Sequence, residues 1–190
     1  MGAMFAAITQ RWARRASKPR PHQNFARCTR AATAVEFALV ATPFFALLMA
    51  LIQTALVFFA SRVLDEVAEE TSRYILTGQA QTGGLSQSQF ATYVCNNVPA
   101  LFNCNNIMIN VQNYASFAAA QTGTPTLTFD AHGNVTNQWV WSPGSAGDVV
   151  IMQVMYQWPV RLGPLGFNLS NLSNGNRLLI STVAFKTEPY

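Results

Sequence analysis

RAATAVEFALVATPFFALLMALIQTALVFFAS, residues 30–61, decides how this chain is organised. About 24 residues, Phe37 to Ala60, carry no Lys, Arg, Asp or Glu. At a rise of 1.5 Å per residue such a helix reaches roughly 36 Å, against a hydrocarbon core of about 30 Å. A cleaved secretory signal has an apolar region of only about 7–15 residues. A buried core helix does not need this length. The run therefore reads as a membrane span over 37–60, with a single carboxylate, Glu36, at its entrance.

Charge on either side of the span gives it a direction. Residues 1–30 hold seven cations and no acid, whereas the remainder holds five cations and eight acids, a net of −3. The overall +4 is thus segregated charge beside an apolar span. That placement argues against a nucleic-acid surface. Positive residues stay on the cytoplasmic side of a membrane segment. The expected topology is a cytoplasmic N-terminus and an extracytoplasmic chain after about residue 61. Charged residues make up only 11% of the chain, against about 25% in soluble domains.

Beyond the span the pattern turns amphipathic. Val63, Leu64, Val67, Ala68, Thr71 and Ile75 share one helical face, and Asp65, Glu66, Glu69 and Glu70 lie largely on the other. Arg62–Glu66 and Glu69–Arg73 are i,i+4 pairs. One helix is expected from about 31 to 77, with Gly78 as its C-cap and Pro43 as an internal bend. Ser86 and Gln89 form a capping box for a second, shorter helix carrying Phe90, Val94 and Val98 and ended by Pro99. From about 106 the signal is β. Ile107, Ile109 and Val111 alternate with polar residues, 127–141 reads as a hairpin, and 148–160 and 178–187 read as strands. The fold class is α+β, an antiparallel sheet with one face covered by the amphipathic half of the helix.

Three cysteines are divided by the span. Cys28 is on the cytoplasmic side. Cys95 and Cys104 lie beyond the membrane, where such thiols tend to oxidise. A Cys95–Cys104 disulfide is expected, with two unpaired thiols as the alternative. The only histidines, His22 and His132, do not make a zinc site. No phosphate loop, GxSxG or HExxH occurs. Asp130 and His132 read as turn residues, and no enzyme activity, metal or cofactor is expected. Tyr114, Trp139, Trp141, Tyr156 and Trp158 read as packing residues of the strands. Residues 1–29 read as a basic leader with a small amphipathic patch, Met4 to Trp12.

The small residues before Glu36, the basic leader before them, and the Glu36-Phe37 opening of a long helix resemble the TadE-like family. These are pseudopilins of the Flp, or tight-adherence, branch of type IV pilus systems. The ending VAFKTEPY also resembles the family's Glu-Pro-aromatic close. The resemblance implies a pilin-like fold, with a helix over 32–77 carrying a head over 78–190. It implies a prepilin peptidase acting between Ala31 and Ala32 and removing the leader 1–31. The family usually has Gly where this chain has Ala31. Glu36 and Phe37 would then serve assembly with other pilin-like subunits and an inner-membrane platform, in contact with membrane lipid. The resulting expectation is a minor pseudopilin of the bacterial inner membrane that supports pilus assembly. The family's major pilins are much smaller. An unprocessed single-pass protein with an adhesion or ligand-binding head, and a membrane-anchored enzyme, are the other readings.

Overall fold

The computed structural model describes residues 29–189 apart from 162, 164 and 165, with side chains from residue 32. Most of the basic leader, with Cys28 and the Met4–Trp12 patch, lies outside the described residues. The chain divides into two compact units, residues 1–43 and 44–190. Helix α1, Thr29–Leu76, runs through the division with Pro43 inside it. Its described bounds differ by one or two residues from those read off the sequence, the usual uncertainty of a helix end.

Within the second unit α1 ends where glycine permits it. Gly78 adopts a left-handed φ of 78° and donates its N–H to Ile75 O at 3.0 Å. The chain then makes one further helical turn, α2 (Gln79–Thr82). Helix α3, Gln87–Asn97, starts with the expected capping box. Gln89 N donates to Ser86 Oγ, and Ser86 N donates to Gln89 Oε1 at 2.8 Å. Cys95 and Cys104 are disulfide-bonded, Cα atoms 5.5 Å apart, tying the end of α3 to the turn that opens the sheet.

Three strands form one antiparallel sheet in the order β1-β2-β3: Ile107–Tyr114, Val149–Trp158 and Arg177–Lys186. Ile109 faces Val154 across the first pairing and Met152 faces Val183 across the second. Central β2 is buried from Val149 to Tyr156, which explains its near-continuous apolar sequence: both its faces are covered. On one face Leu64, Val67, Ala68 and Ile75 of α1, with Phe90 and Val94 of α3, pack with Val111, Val150, Met152 and Val154. On the other, Leu127, Val135, Trp139 and Leu172 cover Met108, Met155 and Leu178.

That second cover contains the hairpin expected over 127–141 in a shorter form. Its arms pair antiparallel only around the turn, at Phe129–Val135, where Thr136 N donates to Thr128 O and Asp130 N to Asn134 O, and no extended strand forms. Side chains take the places of ladder partners: Asn137 Oδ1 accepts from Thr128 N, and Asn137 Nδ2 donates to Thr126 O. The second arm instead meets β1, where Val111 N donates to Val140 O and Ser142 N to Val111 O, both 2.9 Å. Buried Asn110 and Gln153 pin the cover from beneath. Asn110 Oδ1 accepts from Val140 N, and Gln153 Nε2 donates to Gly123 O. The ion pairs expected on α1, Arg62–Glu66 and Glu69–Arg73, do not form among the described residues. Among the described residues Arg62 reaches Asp65 at 3.9 Å, a loose and exposed i,i+3 contact that contributes little.

The chain's end returns to the helix. Glu188 N donates to Leu76 O at 2.9 Å, and Thr187 N to Asp148 O at 2.9 Å. The first bond satisfies a carbonyl at the C-terminus of α1, where helical partners run out. Nearby Gly144, at φ 73°, keeps the turn before β2 close to the end of β1. A Cβ there would lie 3.1 Å from the Cβ atoms of Asn113 and Asp148.

Leu64 is 1% exposed between helix and sheet, whereas Leu47 is 61% exposed. Leu64→Ala lowers head stability by about 2–5 kcal/mol, and Leu47→Ala leaves it unchanged; denaturant unfolding of the detergent-held chain, followed by near-UV circular dichroism, reads both. Replacing Cys95 and Cys104 together by Ser costs about 2–3 kcal/mol in the same measurement, the loop-closure value for a ring of this size.

Candidate functional site

Each unit carries one candidate feature: the carboxylate Glu36 and its exposed neighbours in the first, and an exposed apolar stretch of α1 in the second. In the first unit, residues 32–40 are exposed throughout, with Phe37 at 73%. Glu36 stands among them as the one acid of that segment. Among the described residues it has no ion-pair partner. Thr42 Oγ1 donates to Ala38 O at 2.8 Å, so this hydroxyl is satisfied within its own helix. Pro43 has no N–H to offer Leu39 O, four residues earlier.

In the second unit the apolar exposure continues. Phe44, Phe45, Leu47, Met49 and Leu51 each show more than half their surface. An apolar surface this large and contiguous marks contact with lipid or with other protein. The segment is long and apolar enough to cross a membrane, and only 6% of its most apolar window is buried within the protein. The apolar run is not exposed to its end, however. Val57 and Ala60 join the head's core while Leu56, Phe58 and Phe59 stay exposed. The last two turns of the run are therefore shared between the head and its surroundings. Uniform apolarity hides this division in the sequence, because lipid and a protein core select the same side chains.

Beyond α1 the residues that carry charge or chemistry are dispersed. Asp130 and His132 sit in an exposed turn. Asp130 Oδ1 accepts from the backbone N–H groups of His132 and Asn134, both 2.8 Å, and Asn134 Nδ2 donates to Asp130 Oδ2 at 3.0 Å. These bonds, led by the Asn134 side-chain amide, hold the Asp130 carboxyl below its ordinary value. The carboxylate organises its own turn. Among the described residues no group of three His, Cys, Asp or Glu side chains is placed to hold a metal.

The aromatic residues are structural in placement. Trp141 packs on Phe90 at 4.9 Å between ring centroids and donates its Nε1–H to Leu85 O. Phe102 stacks edge-on against Tyr156 at 4.9 Å, and Tyr156 Oη accepts from Asn103 N. Trp158 lies half-buried against the same Phe102. Tyr114 donates its hydroxyl to Gln112 Oε1 at 2.7 Å. Trp139 covers the second sheet face.

No curated protein and no solved structure matches the chain. Residues 31–73, from the small residues before Glu36 through the amphipathic half of α1, match the model of the family described as TadE-like protein.

Proposed function

We propose that the protein is a minor pseudopilin that supports assembly of tight-adherence pili. The observation that carries this reading is one helix with two surfaces in the segment matched to the family. One surface is bare and apolar, and the other is buried under an α+β head. The TadE-like match over residues 31–73 and a helix long and apolar enough to span a membrane support this reading.

In this reading the basic leader holds the N-terminus in the cytoplasm. The head stands outside, where its disulfide is at home. A prepilin peptidase cuts between Ala31 and Ala32 and removes residues 1–31 with their seven cations. The cut leaves a new ammonium at Ala32, on the exposed helix surface five positions into which Glu36 lies. As apolar helices of neighbouring subunits bundle, Glu36 of one meets the Ala32 ammonium of the next. A charge withdrawn from water requires such a partner. The pair fixes axial register, while apolar contact supplies the attraction. Pro43 allows α1 to bend within the bundle, since neighbouring helices can satisfy the freed carbonyl. The assembly platform of the inner membrane and the related pilin-like subunits are the partners.

N-terminal sequencing of the membrane-extracted protein reads Ala32 when the peptidase is present and the leader when it is absent; an intact leader in both identifies a permanent single-pass anchor instead. Glu36→Ala leaves membrane insertion unchanged but removes the chain from co-purified assemblies of pilin-like subunits. Undiminished co-purification of that variant would sink the charge-pairing mechanism.

A further inference from the structure

The two turns of α1 that enter the head, Gln53 to Ala60, form a junction with unusual polar features. Val57 and Ala60 are buried on one side, while Leu56, Phe58 and Phe59 are exposed on the other. Gln53, Leu56 and Val57 make one wall of a pocket of about 210 Å³, and Trp158, Arg161 and Leu169 make the other. Its lining is mostly apolar, and it lies beside the exposed apolar surface that runs back to Phe44.

Two polar groups at this pocket stand without partners. Gln53 Oε1 is buried and accepts no hydrogen bond. Such an amide oxygen has lost its water and gained nothing in exchange, a cost that a donor from outside the chain would remove. Arg161 is exposed and, among the described residues, makes no hydrogen bond or ion pair. Its neighbour in the fold differs: Arg177 Nη1 donates to Leu169 O at 3.0 Å. The pocket thus has an unpaired cation and an apolar floor, with an unpaired amide oxygen buried in its wall that a turn of the Gln53 side chain would present.

We propose that this junction is a phospholipid headgroup site, an inference that rests on the membrane reading of α1. The Arg161 guanidinium takes the phosphate diester, a planar fork matched to phosphate oxygens. Gln53 Oε1 accepts a hydrogen bond from the headgroup's ammonium or hydroxyl. Leu56, Val57 and Leu169 line the start of an acyl chain. Trp158 lies where an indole suits the membrane–water boundary. The acceptor gives the site a preference. Phosphatidylethanolamine carries N–H donors, whereas the choline of phosphatidylcholine carries none.

The test uses the full chain in mild detergent, with phosphatidylethanolamine, phosphatidylcholine or inorganic phosphate added and bound adducts counted by native mass spectrometry. Phosphatidylethanolamine is retained about tenfold better than phosphatidylcholine, the worth of one good hydrogen bond. Arg161→Gln reduces retention of both lipids about tenfold. Gln53→Leu, which keeps the volume and removes the acceptor, abolishes the preference while retention of phosphatidylcholine stays unchanged. Equal retention of the two lipids by the unaltered chain, or full retention by Arg161→Gln, overturns the site. Displacement of the lipid by inorganic phosphate assigns the pocket to a soluble anion and overturns the lipid source. Flotation with phosphatidylcholine liposomes separates this inference from the reading beneath it. A chain that stays unfloated loses the membrane reading and the site together, whereas a chain that floats without headgroup preference loses only the site.

Discussion

The packing of one face of α1 on the sheet is the contact on which the head depends. A three-stranded sheet with bare faces is marginal in water and needs a cover. Leu64, Ala68 and Ile75 supply it over Val150, Met152 and Val154. The small side chains of Ala60 and Ala68, both fully buried, let the helix backbone lie close to its neighbours. The contact serves both partners, because the helix's own apolar stripe would otherwise face water. The disulfide, the α3 cap and the second cover of the sheet all build outward from that layer.

The same helix therefore meets two environments with one kind of side chain. Up to Ile52 its large apolar residues are largely bare. From Gln53 the head begins to claim one side of it. An element built this way packs against the head along one side from Gln53 onward and leaves the large apolar residues before it exposed. The head itself shows packed aromatic residues, amide networks and a turn-forming Asp130.

What the sequence revealed followed the range of each interaction. The capping box at Ser86 and Gln89 is local, spaced by three residues, and readable without the fold. The three strands announce themselves through β-branched and alternating runs. The hairpin at 127–141 forms only around its turn, because Asn137 bonds backbone groups that a longer ladder would have paired. The Arg62 pairing misleads because helix geometry allows both i+3 and i+4 partners. At the candidate site, the apolar run and the isolated Glu36 are plain in the sequence. The division of that run at Gln53 is not, nor is the approach of Arg161 to the same pocket. Both depend on contacts between residues more than 100 positions apart, and no periodicity records them.

The chain's return to Leu76 has a mechanical consequence. The head leaves α1 at that point and comes back to it, with Glu188 bonded to the last helical residue and Thr187 to the turn before β2. A pull transmitted along α1 is therefore carried in parallel by the broad helix–sheet contact and by this terminal clasp. It cannot peel the sheet away strand by strand from a loose end. Load applied in this way acts in shear, where many contacts must yield together. Under such a load the helix and the sheet part only when their contacts fail as a set.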